Sequence, residues 1–138
     1  MASVRKAIKL NVSPEHAWAA LSDFHAVHTR LAPGFVVDSK PDAGPTGDAR
    51  IVTFANGTSA REILVDRDDD ARRLVYAVVG SERLTHHSAS AQIVPDGEGC
   101  IFVWSADFLP NEFHPYIDGQ MAQGAAVMKE TLEKSARG

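Results

Sequence analysis

The stretch that decides the fold is residues 100–132, CIFVWSADFLPNEFHPYIDGQMAQGAAVMKETL. Its first part, Cys100 to Phe108, is apolar and aromatic and predicts a buried strand that ends before Pro110. The remainder predicts one helix running to the C-terminus, because its apolar positions recur every three or four residues. Those positions are Phe113, Ile117, Met121, Gly124, Met128 and Leu132. A glycine inside a helix costs about 1 kcal/mol relative to alanine, so Gly124 indicates either close packing or an empty space beside the helix.

The residues before this stretch predict one strand and then two short helices. Apolar and polar residues alternate from Val4 to Val12, which indicates a strand with one buried face. The run Ser13–Glu15 follows, and a serine cap, a proline and an acid in the first turn are typical of a helix start. Asp23 predicts the cap of a second short helix, which ends at Pro33.

Residues 35–109 predict strands that are joined by turns. The pair Asn56-Gly57 lies between two apolar runs and is a strong hairpin signal. Consecutive hairpins indicate an antiparallel sheet, and such a sheet must bury one face. We therefore predict an α+β helix-grip fold in one domain, residues 1–138. A curved antiparallel sheet of about seven strands wraps around the C-terminal helix, with the two short helices after the first strand.

Bulk composition argues against several classes of protein. The chain has 138 residues, 44% hydrophobic and 23% charged, with a net charge of −4, so nothing attracts it to nucleic acid or to an anionic membrane. The single cysteine, Cys100, allows no disulfide within the chain, and no apolar run approaches the ~20 residues of a membrane span. We expect a cytoplasmic protein. A homo-oligomer is compatible with this sequence but is not indicated by it.

No motif for a metal ion or a cofactor stands out. His25 and His28 are three positions apart and could present both rings to one metal ion, but no acid or thiol has a recognisable spacing beside them. A phosphate-binding glycine loop, a zinc signature and a nucleophile elbow are all missing from the sequence. We therefore predict no metal and no cofactor.

One predicted strand carries the most informative residue. The period of two between Thr85 and Val94 places His87 on the inner face, beside Ala89 and Ala91. Small side chains on that face leave room for a ligand, and a histidine there could bind a ligand oxygen or act as an acid or base. The alternative is a core histidine that is satisfied by one internal partner.

Other polar residues could also face this interior. Tyr76 shares a face with Val78, and a buried tyrosine hydroxyl group needs a partner, which could be a ligand, a water or another side chain. Arg61 and Glu62 are neighbours in a strand, so one of them should face inward, although a solvated edge charge explains Arg61 more simply. Trp104 lies on an aromatic face that should point inward, unless a bulge reverses the strand.

Three segments resemble the START-related (SRPBCC) helix-grip superfamily, in its polyketide cyclase/dehydrase-like branch, which shares the fold of the birch-pollen allergen. They are Val12–Trp18, Arg72–Tyr76 and Trp104–Pro110. The resemblance covers nearly the whole chain and implies a deep apolar cavity between the sheet and the long helix. It also implies that two loops, residues 40–47 and 80–84, border the cavity mouth. Related aromatase/cyclases have a catalytic arginine in the pocket, and Arg61 is the nearest match.

These observations give one main hypothesis and two alternatives. The main hypothesis is a protein that binds a small hydrophobic molecule, such as a lipid, a polyketide or an isoprenoid-like compound. The predicted ligand-binding residues are Tyr76, Val78, His87, Ala89, Ala91, Trp104, Ile117, Gln120, Met121, Gly124 and Met128. The first alternative is a polyketide cyclase or dehydratase that uses the same cavity, with His87 or Tyr76 as acid or base and Arg61 as a further candidate. The second is an interaction domain with a residual cavity.

Overall fold

The computed structural model describes residues 1–45 and 47–138, and within them seven strands and two α-helices. The strands are β1 (Ala2–Leu10), β2 (Val36–Pro41), β3 (Ala49–Phe54), β4 (Ser59–Asp68), β5 (Arg73–Val79), β6 (His86–Asp96) and β7 (Gly99–Leu109). The helices are α1 (Pro14–Leu21) and α2 (His114–Arg137). Short helical turns occupy Phe24–Ala26, Val27–Leu31 and Asn111–Phe113.

The strands form one antiparallel sheet in the order β1-β7-β6-β5-β4-β3-β2. The pair Asn56-Gly57 closes the β3–β4 hairpin, and Gly57 has φ +89°, a conformation that favours glycine. The register shifts once between β2 and β3 and once between β4 and β5, and such bulges bend a sheet. The predicted α+β helix-grip architecture is confirmed, including the sheet of seven strands and the long C-terminal helix.

Helix α2 packs along the sheet and is also bound to the edge strand β1. Lys6 Nζ lies 2.7 Å from Asp118 Oδ1, and Lys129 Nζ donates to the carbonyl of Lys9 at 2.7 Å. The opposite face of α2 is buried and carries Ile117, Met121, Gly124, Ala125, Met128 and Leu132. This is the face that the helical period predicts. No helix in the described part of the chain is long and apolar enough to cross a membrane.

Strand β7 alternates without interruption between buried and more exposed residues. Its inward side chains are Cys100, Phe102, Trp104, Ala106 and Phe108, all buried. Its pairing with β1 and β6 has no register shift. Trp104 therefore points toward the interior, and no bulge reverses the strand.

The segment after α1 differs from the prediction of a second capped helix. The Asp23 side chain caps no helix, because its carboxylate binds Arg30 Nη1 at 2.9 Å instead of a backbone amide. The backbone forms a 3-10 turn and then a π-helical turn, Val27–Leu31, which buries Val27 and Leu31. The apolar residues thus face the core as expected, although the regular helix is missing.

Gly124 is a close-packing glycine. A Cβ atom placed on it would lie 2.9 Å from Cε2 of Phe35, which is closer than carbon atoms pack. Phe35 is itself held in place by Phe54, with ring centroids 5.5 Å apart. Close packing therefore explains this glycine. The alternative, that Gly124 adjoins an empty space beside the helix, is wrong.

Candidate functional site

A cavity of about 570 Å³ lies between the inner face of the sheet and α2. Its volume falls within the range of small-molecule sites. The predicted residues that line it are Tyr76, Val78, His87, Ala91, Trp104, Ile117, Gln120, Met121 and Met128, and Arg61 lines it as well. Buried apolar side chains from the segment after α1, including Val27 and Leu31, form part of its wall.

Two predicted ligand-binding residues do not line the cavity. Ala89 is buried within the sheet, where it pairs with Tyr76 of β5 and Ala106 of β7. Gly124 is covered by Phe35. Both face inward, but at these positions other residues fill the interior, so both are corrected to core positions.

A buried ion pair, Arg50 with Glu62, forms the charged part of the cavity wall. Arg50 Nε and Nη2 each lie 2.8 Å from Glu62 Oε1, and Nη1 donates to the carbonyl of Phe24 at 2.7 Å. The two residues are only 6% and 7% exposed. The guanidinium group also lies 4.0 Å from the centroid of the Phe24 ring, a favourable cation–π distance. Arg50 is thus held by its partners in one fixed position.

Tyr76 and Trp104 form a hydrogen-bonded pair beside this ion pair. Trp104 Nε1 donates to Tyr76 Oη at 3.0 Å. Burial raises the pKa of Tyr76 and the Glu62 carboxylate adds to this, while Arg50 and the bond from Trp104 act in the opposite direction. Tyr76 therefore keeps its proton at neutral pH. No described residue accepts that proton in a hydrogen bond, so the hydroxyl group can donate to a molecule in the cavity.

His87 completes the polar group of residues. Its ring centroid lies 6.3 Å from that of Tyr76, and its Nδ1 atom is buried without a hydrogen-bond partner among the described residues. Burial lowers the pKa of His87, with the Glu62 carboxylate opposing the shift. The imidazole is therefore neutral at neutral pH, with one nitrogen as donor and the other as acceptor. A buried polar atom without a partner is uncommon in folded proteins.

The sequence interpretation missed Arg50, and it left open which of Arg61 and Glu62 faces inward. Arg61 and Glu62 are neighbours along β4, and Glu62 is the one that faces inward. Arg61 binds Asp42 instead, through Nε to Oδ2 at 2.7 Å, and is partly exposed at the cavity edge. Arg50 lies two residues before Val52 and on the same face of β3. Extending the alternation of the strand back to its start at Ala49 would have identified Arg50 as an inward residue.

The mouth of the cavity lies near the start of α2. The loop of residues 80–84 lines it as the resemblance implies, and Arg83 Cζ lies 5.4 Å from the ring centroid of Phe113. Within the other loop, residues 40–45 and 47 do not line the cavity, and Thr46 lies outside the described residues. The β3–β4 hairpin is nearer the mouth, since Thr58 lines the cavity and Asn56 Nδ2 donates to Tyr116 Oη at 3.1 Å.

The two histidines of the 3-10 and π-helical turns are separate from this cavity. His25 Nε2 lies 3.0 Å from Asp48 Oδ1, a partner that sequence spacing did not reveal. Within residues 1–45 and 47–138, no three His, Cys, Asp or Glu side chains are grouped as a metal site would require.

A sheet that grips a long helix over a cavity defines a helix-grip protein of the START type, and solved structures support this class. A structure from Thermobifida fusca has 31% identity, covers 97% of this chain and 95% of its own, and has a TM-score of 0.77. The Zhui aromatase/cyclase from Streptomyces sp. R1128 has 13% identity, covers 99% and 93%, and has a TM-score of 0.77. Norcoclaurine synthase from Thalictrum flavum, in complex with dopamine and hydroxybenzaldehyde, has 18% identity, covers 97% and 85%, and has a TM-score of 0.74.

The chain belongs to the family described as polyketide cyclase / dehydrase and lipid transport, whose model matches residues 1–137. No curated protein matches the sequence.

Proposed function

We propose that this protein binds a small, largely apolar molecule, such as a lipid, a polyketide or an isoprenoid-like compound, in the cavity beneath α2. The observation that carries the proposal is the cavity of about 570 Å³, with apolar walls and a few fixed polar groups. Each 100 Å² of apolar ligand surface that is buried there contributes about 2.5 kcal/mol. Tyr76, His87 and the Arg50–Glu62 pair would then orient the ligand.

Two measurements test this proposal. The protein is purified under native conditions and its intact mass is measured, and a bound ligand should appear as added mass that denaturation removes. The purified protein is also titrated with N-phenyl-1-naphthylamine, a neutral dye that fluoresces in apolar surroundings. Saturable uptake of the dye supports the proposal. A protein that carries no extra mass and takes up no dye contradicts it.

A second candidate function is a cyclase or dehydratase that uses the same cavity. The specific observation in its favour is that the neutral His87 ring and the Tyr76 hydroxyl group border one cavity and have unused hydrogen-bonding capacity. In this reaction His87 would accept a proton as general base, and Tyr76 would donate a hydrogen bond to the developing oxyanion. If His87→Ala and Tyr76→Phe both leave turnover of an identified substrate unchanged, this candidate fails.

A further inference from the structure

The deep part of the cavity contains a cation whose charge is already balanced. Arg50 is bonded to Glu62 through two nitrogens and to the Phe24 carbonyl through the third. Each nitrogen of the guanidinium group thus has a partner within the protein. An incoming carboxylate would meet only the second N–H groups of Nη1 and Nη2, and it would also approach the negative charge of Glu62.

The remaining hydrogen-bonding capacity lies in neighbouring polar groups. Glu62 Oε2 accepts no hydrogen bond from any described residue. The hydroxyl proton of Tyr76 is likewise not donated to any described residue. His87 Nδ1 is buried without a described partner. Glu62, Tyr76 and His87 all line the cavity. Together they offer an acceptor, a donor and a ring that provides one of each.

A hydroxyl group satisfies this set of groups, because it both donates and accepts hydrogen bonds. A carboxylate only accepts, so it would leave Glu62 Oε2 without a donor and add a second negative charge. A hydrocarbon without a polar end would leave all three groups unsatisfied.

We propose that the cavity selects neutral apolar molecules that carry an alcohol or phenol group at their buried end, and that it discriminates against carboxylates. This inference rests on the proposed ligand-binding function. Glu62 is the residue that determines the selectivity, because it neutralises Arg50 and accepts from the ligand hydroxyl group.

A different orientation would place an anionic end at the mouth of the cavity. Arg83 lies there, is exposed, and forms no ion pair with a described residue. A carboxylate ligand held at Arg83 would leave its tail toward Tyr76 and His87. That arrangement leaves the buried polar groups without partners, and the experiment below distinguishes it.

The experiment measures displacement of N-phenyl-1-naphthylamine at neutral pH by three ligands with the same ring system: 2-naphthol, 2-naphthoate and naphthalene. The expected affinity for 2-naphthol is at least about tenfold higher than that for 2-naphthoate, since the carboxylate adds a second buried negative charge and gives Glu62 no hydrogen-bond donor. Naphthalene should also bind more weakly than 2-naphthol, because it satisfies none of the polar groups.

Variants assign the selectivity to Glu62. Glu62→Gln leaves the Arg50 charge unbalanced, so the affinity for 2-naphthoate should rise and that for 2-naphthol should fall, each by about tenfold. Glu98→Gln, in the exposed β6–β7 turn, is the matched control and should leave all three affinities unchanged. If Glu62→Gln does not fold, the double variant Arg50→Met/Glu62→Leu removes both charges, and 2-naphthol should lose the part of its advantage over naphthalene that Glu62 provides.

Three results would overturn the inference, and they can be told apart. If the wild-type protein takes up no dye, the proposed function fails and this inference fails with it. If dye and naphthalene bind but 2-naphthoate binds as tightly as 2-naphthol, only the selectivity is wrong. If 2-naphthoate binds tightly and Arg83→Gln abolishes that binding, the polar end lies at the mouth rather than beside Glu62.

Discussion

The Arg50–Glu62 pair links the stability of the protein to the chemistry of its cavity. Both side chains are almost fully buried, and Glu62 is the only carboxylate bonded to Arg50 among the described residues. Glu62→Ala leaves a buried guanidinium group without a counter-charge. We expect a loss of about 3–5 kcal/mol in the free energy of unfolding, measured by urea denaturation.

The double variant provides the control for this prediction. Arg50→Met/Glu62→Leu replaces both charges with apolar side chains of similar size, and such replacements of buried ion pairs are often neutral or stabilising. Its free energy of unfolding should lie within about 1 kcal/mol of wild type. A single Glu62→Ala variant as stable as the double variant would contradict the role given to the pair.

His87 makes stability depend on pH in a defined direction. Burial lowers its pKa in the folded state, so the unfolded chain takes up the proton first as the pH falls. The stability linked to neutral His87 is complete above the usual histidine value of 6.5 and decreases below it. We expect the wild-type protein to lose stability between about pH 7 and pH 5.5, and His87→Gln to lose less. Urea denaturation at both pH values measures this, and equal losses in both proteins would refute it.

Two glycines of α2 offer a matched test of how this helix packs. Gly124 is in contact with the Phe35 ring, whereas a Cβ on Gly119 would meet nothing within 4 Å. Gly119→Ala should stabilise the protein by about 1 kcal/mol through helix propensity alone. Gly124→Ala should destabilise it by about 1–3 kcal/mol, because overpacking outweighs that gain.

Thermal or urea denaturation measures both glycine variants. A second change, Phe35→Leu, should recover part of the stability lost in Gly124→Ala, since it removes the ring that the new methyl group meets. If the two alanine variants stabilise the protein equally, Phe35 does not restrict Gly124.

The sequence predicts the elements well because their signals are local. The period of two in β6 and β7 and the three-to-four spacing in α2 identify the buried faces, and Asn56-Gly57 identifies a hairpin. These patterns depend on neighbouring residues along the chain. They therefore also place His87 and Trp104 inside the protein.

The features that the sequence does not predict depend on distant contacts. Which of Arg61 and Glu62 faces inward becomes clear only with Arg50 placed opposite on β3, where it binds Glu62. The tight packing of Gly124 depends on Phe35, which is far away in the sequence. Asp23 lost its predicted capping role to a nearer partner, Arg30, which is seven residues along the chain. In each case a side chain that the local pattern does not identify as a partner overrides the local signal.

At the scale of the whole molecule, the hollow interior can be tested with two alanines of β6. Ala91 lines the cavity, whereas Ala89 is enclosed by the core. Ala91→Leu should fill space that is empty and reduce dye uptake, with a small effect on stability. Ala89→Leu should overpack the core and cost about 1–3 kcal/mol.

Dye titration and urea denaturation of both variants check this pair. The two alanines are similarly buried and lie on the same face of one strand, so each controls for the other. Equal destabilisation by both leucines would mean that no usable space adjoins Ala91, and the cavity proposal would fail.

The strand order also constrains when the sheet can be completed during synthesis. The first two strands of the chain, β1 and β2, form its two opposite edges, and β1 pairs along its whole length with β7, from Ala2 opposite Phe108 to Leu10 opposite Cys100. The hairpins from β2 to β7 can form as each strand leaves the ribosome, but β1 has no partner until β7 has been synthesised. Until then the most recently added strand of the growing sheet has an open edge, which is where a growing chain is most prone to pair with another. Because Lys6 of β1 also binds Asp118 of α2, the β1–β7 ladder brings the helix and the edge strand together.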